Sequence, residues 1–182
     1  MEPAAGGVSL PGRAALNAIS IQSDMNDTLH LAVTPNDAYA EPLRVLLTSI
    51  LANNSRNQVH IHIVHSHFSD ENKARNLRIV EHFKGARIDY VEVSQERFSA
   101  LKLPDYRRFP PETYYQFVLA EIFPDLDRIL YLDVDIIVNG DLSPLWRTDI
   151  SDCYCAGAHD IGASRLNHKQ ALGMDPDAVY MN

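Results

Sequence analysis

The chain reads as an α/β protein with a mostly parallel central sheet, and three features carry that reading. Short apolar, β-branched runs alternate with stretches of helical periodicity, in the order strand, helix, strand, helix, strand, helix, strand. Such an alternation places helices on both faces of the sheet. The principal runs are apolar nearly throughout, as in strands covered on both sides. A chain of 182 residues that is 46% hydrophobic also has enough apolar surface for one sizeable core.

Residues 1–27 are rich in Ala, Gly, Ser, Pro and Asn with weak periodicity, and are expected to form a mobile amino-terminal tail. Residues 28–182 show no internal repeat and no interior linker, so one domain is expected. Residues 29–33 (Leu-His-Leu-Ala-Val) predict the first strand, and Thr34-Pro35-Asn36-Asp37 a polar turn. A helix over 41–52 follows, with Leu43, Leu46, Leu47 and Ile50 on one face. Residues 59–64 predict the second strand. Ser69-Asp70-Glu71 opens a second helix, its acidic residues favoured by the helix dipole, with Leu77, Val80 and Phe83 on the apolar side. Residues 87–93 predict the third strand, and 102–111, with three prolines, a loop. A third helix is expected over 112–123, ending at Pro124.

The most distinctive stretch is 129–138, Ile-Leu-Tyr-Leu-Asp-Val-Asp-Ile-Ile-Val. It predicts a strand buried on both faces, interrupted by two carboxylates. An unpaired carboxylate is costly to desolvate, so Asp133 and Asp135 are expected where the strand ends at a cleft, compensated by a cation. Two carboxylates on a short rigid segment suit a hard divalent ion, Mg²⁺ or Mn²⁺, which keeps positions open for substrate phosphates. The plainer alternative is a pair of strand-end carboxylates capping nearby backbone N–H groups. In parallel α/β sheets ligands bind beyond the carboxyl ends of the strands. That rule puts the turn from Thr34 to Tyr39 and the Asp133/Asp135 pair on one edge, as a nucleotide cleft.

Other features mainly narrow the function. A net charge of −8 argues against a general nucleic-acid binder. No run of 18 apolar residues exists to span a membrane, and the start lacks the pattern of a secretory signal. Cys153 and Cys155 flank Tyr154 in an expected strand, where an i, i+2 disulfide has poor geometry. Reduced thiols and a cytoplasmic location are therefore expected. His60, His62, His65 and His67 invite a zinc reading, but no cysteine or carboxylate lies near them in sequence, so hydrogen-bonded core histidines are the preferred reading. Tyr114, Tyr115, Phe117 and Trp146 are expected in the core.

The string from Arg128 through the Asp133-Val134-Asp135 motif to Val138, continued by Gly140-Asp141-Leu142 and Pro144-Leu145-Trp146, resembles glycosyltransferase family 8. That family includes bacterial lipopolysaccharide galactosyl- and glucosyltransferases and glycogenin. The resemblance implies a GT-A, Rossmann-like nucleotide-diphosphosugar transferase sandwich and transfer of a hexose from a UDP-sugar to a glycan or lipopolysaccharide acceptor, with retention. By position, Asp133 and Asp135 resemble the carboxylates that hold Mn²⁺ against the donor diphosphate. Thr34, Asn36, Asp37 and Tyr39 match the uridine-binding turn, with Tyr39 at the aromatic that stacks on uracil. Asn36 stands where the family often has aspartate, and Ala38 where it often has asparagine. Gln116, in Thr113-Tyr114-Tyr115-Gln116-Phe117, takes an arginine position. Asp160 resembles a position near sugar and acceptor, and Asn182, in Tyr180-Met181-Asn182, an asparagine near the donor sugar.

The chain ends at that asparagine. The resemblance therefore implies the amino-terminal part of a transferase, without the later histidine that is the family's third metal ligand. No catalytic nucleophile or base is evident. The implied enzyme is cytoplasmic, without a transmembrane segment, and compatible with peripheral contact at the inner membrane face. Two rivals are a non-catalytic fragment that binds a nucleotide diphosphate and metal, and a phosphatase of the haloacid dehalogenase type. The latter also uses Asp-x-Asp after an apolar strand, but its motif opens the fold, whereas three strand-helix units precede this one.

Overall fold

The computed structural model describes residues 28–94, 110–159 and 173–175. The expected tail, the loop over 102–109, Asp160 and Asn182 lie outside them. The chain divides into two compact units, 1–146 and 147–182, described separately.

In the first unit, β1 (Leu29–Val33), β2 (Val59–His65), β3 (Ala86–Glu92) and β4 (Leu130–Tyr131) form one sheet in the order β3-β2-β1-β4. Every pairing is parallel. The helix α1 (Ala40–Asn53) begins after a 3₁₀ turn, Asp37–Tyr39. Pro42 in its first turn costs no intrahelical bond, because the first N–H groups have no partner anyway. Leu43, Leu46, Leu47 and Ile50 recur at the helical period and are all buried. Helix α2 (Asp70–Val80) is capped by Ser69, whose side chain accepts from the Asn72 N–H. Its Val80 is buried but Leu77 is 47% exposed, so the expected apolar stripe is narrower than its sequence. Gly85 turns the chain into β3 at φ +78°, and a Cβ there would meet the Gln58 side chain at 2.9 Å.

The period-2 alternation of the strands sorts side chains between two cores. Leu29, Leu31, Val33, Val59, Ile61 and Ile63 join the buried residues of α1 on one face. Fully burying each such side chain contributes roughly 1.5–3 kcal/mol, which makes this layer the main source of stability. On the other face Ala32, Val64 and Val93 pack with Tyr115 and Leu119. Those two residues belong to a 3₁₀ stretch, Pro111–Val118, running into the short helix α3 (Leu119–Ile122). The expected regular helix over 112–123 is thus mostly 3₁₀. Its Tyr115 is buried and Phe117 is 75% exposed, contrary to the expectation that both are core. Helix α4 (Ser143–Trp146) closes the unit, with Trp146 against the first core.

In the second unit Cys153, Tyr154 and Cys155 are exposed, outside any strand, and both thiols are free. The expectation of a strand there is corrected: among the described residues no ladder pairs with the segment, and a turn forms instead, closed by Cys153 N–H to Ile150 O at 3.0 Å.

Candidate functional site at the carboxyl edge of the sheet

β1 and β4 are neighbours, so the chain leaving each one enters the same edge. Thr34 follows β1 directly and Asp133 lies two residues beyond β4. Tyr131, paired with Ala32 across the ladder, connects them. Its hydroxyl is 3.3 Å from Thr34 Oγ1 and 3.1 Å from Asp133 Oδ1, to which it donates. Burial first, and the negative charge of Asp133 beside it, push the Tyr131 hydroxyl up to about 12, so it remains a donor at neutral pH. Tyr131 carries no role in the sequence reading; its place two residues before Asp133 in an extended run, which puts both side chains on one side, is the signal for it.

The expected ten-residue strand over 129–138 is corrected to the two residues of β4. Only the start of the run pairs with β1. Beyond it, the backbone is held by side chains of the carboxyl end of α1. Val138 N–H donates to Ser49 Oγ at 3.0 Å, and Val138 O accepts from Asn53 Nδ2 at 3.0 Å. Leu142 N–H donates to Asn54 Oδ1 at 2.8 Å, and Asn54 Nδ2 reaches Gly140 O at 3.4 Å. A side-chain clamp thus replaces a sheet ladder, satisfying backbone groups that burial would otherwise strand. Ile136 and Ile137 lose the cover that the apolar run predicted and are 38% and 70% exposed. Ser49, Asn53 and Asn54 position this loop, and nothing in their spacing announced it.

Within the turn after β4, Val134 packs partly into the core while Asp133 and Asp135 are exposed on either side of it. The pair therefore sits at the strand end, as expected, and in the open rather than desolvated. Among the described residues neither carboxylate forms an ion pair, and Asp135 accepts no hydrogen bond. Two hard oxygen donors with uncompensated charge on a clamped loop fit a divalent cation whose remaining positions are taken by other oxygens. No third His, Cys, Asp or Glu joins them as a ligand group among the described residues.

The turn after β1 is ordered by its own polar side chains. Asn36 Oδ1 accepts from Ala38 N–H at 3.1 Å. Asp37 Oδ1 accepts from Ser69 N–H at 2.9 Å, Asn72 Nδ2 at 3.0 Å and Ser69 Oγ at 3.1 Å, tying the turn to the start of α2. These bonds, the Ser69 backbone N–H foremost and Asn72 next, hold its carboxyl below the usual range. That oxygen of Asp37 is engaged in structure. Tyr39 is 43% exposed. Gln116 donates from Nε2 to Thr113 O at 3.1 Å within its own turn, and makes no hydrogen bond to Thr34, Asn36, Tyr39 or the Asp pair.

Comparison with known proteins gives this edge a context. The sequence profile of glycosyl transferase family 8 matches residues 30–182. A putative glycosyltransferase of Haemophilus influenzae is 24% identical over 153 residues, covering 82% of this chain and 45% of that protein. A lipopolysaccharide 1,2-glucosyltransferase of Escherichia coli is 25% identical over 164 residues, covering 89% and 48%. Among solved structures, a galactosyltransferase, LgtC, in complex with donor and acceptor sugar analogues superposes with a TM-score of 0.74 at 29% identity, over 85% of this chain and 55% of that one. The bifunctional glycosyltransferase WbbM shares the fold at a TM-score of 0.73 and 17% identity, over 86% and 30%. The chain spans about half the length of the curated relatives just named. With the profile match and the LgtC likeness on a parallel sheet flanked by helices, the fold is the GT-A glycosyltransferase fold, and the chain belongs to glycosyltransferase family 8.

Proposed function

We propose that residues 28–182 form the donor-binding part of a retaining hexosyltransferase. It takes a UDP-sugar with Mn²⁺ or Mg²⁺ and delivers the sugar to a glycan or lipopolysaccharide acceptor. One observation carries this reading: the hydrogen-bonded line Thr34–Tyr131–Asp133 joins the turn after β1 to the Asp133/Asp135 loop at one sheet edge. A nucleotide diphosphate needs that adjacency, because base and phosphates must be held together.

Glycosyl transfer breaks the bond from the anomeric carbon to a phosphate oxygen, leaving a diphosphate with added negative charge. A divalent ion, when bound, supplies Lewis-acid stabilisation of that charge, worth several kcal/mol. Asp133 and Asp135 hold the ion, and Tyr131 orients the Asp133 carboxylate. Tyr39 stacks on uracil, with Thr34 and Asn36 at the nucleoside. Val134, inserted into the core, sets the two carboxylates apart. Gln116, Asp160 and Asn182 belong to the sugar side of the same reading, which assigns no catalytic base. The acceptor class follows from relatives such as the lipopolysaccharide 1,2-glucosyltransferase of Escherichia coli and the lipopolysaccharide 1,3-galactosyltransferase of Salmonella typhimurium. A cytoplasmic enzyme at the inner membrane face fits such acceptors. Among the described residues no helix is long and apolar enough to cross a membrane. The rival reading, binding without transfer, draws on the two-carboxylate ligand set of this edge.

Calorimetry tests the proposal. UDP is expected to bind the chain with Mn²⁺, and the Asp133→Asn and Asp135→Asn variants to lose that dependence. Equal Mn²⁺-dependent affinity in both variants overturns the assignment.

A further inference from the structure

The histidines set aside in the sequence have a neighbour that only the sheet supplies. Parallel register places His30 of β1 beside His60 of β2, and Ala32 beside His62. His30, His60 and His62 therefore share one face, toward the amino ends of the strands, while the Asp133/Asp135 pair lies beyond the carboxyl end. One nitrogen from each ring falls in a group whose members all lie within 4.8 Å of one another.

We propose that His30, His60 and His62 form a second metal site, for a borderline transition-metal ion of the Zn²⁺ class, with Asp89 orienting His60.

Three observations carry this. The first is spacing. A tetrahedral ion with metal–nitrogen bonds near 2.0–2.1 Å holds its ligand nitrogens roughly 3.3 Å apart, and His30 Nδ1 and His62 Nε2 are already 3.1 Å apart. The rings of His60 and His62 approach to 4.0 Å between centroids, so small side-chain rotations close the remaining gap. The second is the supporting carboxylate. His60 Nε2 is 2.7 Å from Asp89 Oδ2, and Asp89 is itself held by Arg87 Nη2 at 2.7 Å. A metal-ligating histidine typically gives its other nitrogen to such a carboxylate, which fixes the ring and raises its basicity.

The third is access and chemical type. His62 is buried against Phe123, with rings 4.6 Å apart, while His30 and His60 are partly exposed. An ion can enter from that side and keep a water in its fourth position. Imidazole nitrogens select Zn²⁺, Cu²⁺ or Ni²⁺, whereas carboxylates suit Mg²⁺ and Mn²⁺. The two ends of one sheet thus offer sites of opposite preference.

The test is a titration with Co²⁺, whose visible ligand-field absorption reports tetrahedral binding. Cys153 and Cys155 are exposed thiols that compete for such ions, so the Cys153→Ser/Cys155→Ser chain is used. One equivalent of Co²⁺ is expected to develop the band, and Zn²⁺ to displace it and raise the thermal midpoint. His30→Gln and His60→Gln, both partly exposed and tolerant of an amide, are expected to fold as judged by circular dichroism and to weaken Co²⁺ binding at least tenfold. The band is expected to survive in Asp133→Asn/Asp135→Asn. A folded chain without the band overturns the proposal and leaves three hydrogen-bonded core histidines; so does a band that persists in both histidine variants or vanishes in the aspartate variant.

Discussion

Replacing Asn54 with alanine tests how the Asp133–Asp135 loop is held. Asn54 is 2% exposed and links two parts of the chain far apart in sequence. Its Oδ1 accepts from Leu142 N–H at 2.8 Å and Asn57 Nδ2 at 3.2 Å, and its Nδ2 donates to Ile50 O at 2.9 Å and Gly140 O at 3.4 Å. The Leu142 bond is buried, so truncation strands that N–H, at a cost of about 1–3 kcal/mol. The Ile50 and Asn57 bonds add roughly 1 kcal/mol in total, because water reaches part of their surroundings. A destabilisation of about 2–4 kcal/mol follows, a large share of the ~5–15 kcal/mol typical of a domain. Urea unfolding followed by circular dichroism reads it as a fall in midpoint of about 1–2 M with little change in slope. The exposed Asn53→Ala, which loses the Nδ2 bonds to Val138 O at 3.0 Å and Ser49 O at 2.9 Å, is expected to cost about 1 kcal/mol or less, since water replaces them. An Asn54→Ala chain within about 0.5 kcal/mol of the parent would refute the clamp as the loop's support.

Three further outcomes are expected. Tyr131→Phe removes the hydroxyl between Thr34 and Asp133, and Mn²⁺-dependent UDP affinity should fall about five- to tenfold by calorimetry, the worth of roughly one hydrogen bond. Tyr39→Ala should weaken UDP about ten- to hundredfold, in line with ~1–3 kcal/mol for base stacking, while Tyr39→Phe stays near the parent. His65 is 1% exposed and neither ring nitrogen has a partner among the described residues; burial lowers its pKa. The unfolded chain then takes up that proton first, so stability falls as pH drops below 6.5 and is unaffected above it. His65→Leu should flatten the stability–pH slope below pH 6.5 by up to about 1.4 kcal/mol per pH unit, measured by urea midpoints.

The alternating half of the fold was legible. β1, α1, β2 and β3 lie within about a residue of their expected bounds, and α2 starts where Ser69 signals it but ends at Val80, short of Phe83, because the strands are compact apolar runs and the helices carry a 3.6-residue period. The edge that unites Thr34 and Asp133 was legible too, since it follows from parallel order alone. What failed depended on partners. The run after Tyr131 is as apolar as a strand, but its backbone is claimed by Ser49, Asn53 and Asn54, polar residues that read in sequence only as a helix end. The tie of Asp37 Oδ1 to the start of α2 was equally illegible, because Ser69 and Asn72 lie 32 and 35 residues further along the chain. The histidine cluster was invisible because His30 lies on one strand, His60 and His62 on the next and Asp89 on a third. Register, not spacing along the chain, brings them together.

The central claim is that the turn after β1 and the Asp133/Asp135 loop form one site for a nucleotide diphosphate and a metal ion. Electron paramagnetic resonance of Mn²⁺ tests it most directly, since free aqueous Mn²⁺ gives a signal that binding attenuates. The account predicts that chain and UDP together abolish far more of that signal than the sum of either alone, and that Asp133→Asn and Tyr39→Ala each remove the synergy. Attenuation that is merely additive, or synergy that survives both substitutions, would contradict it.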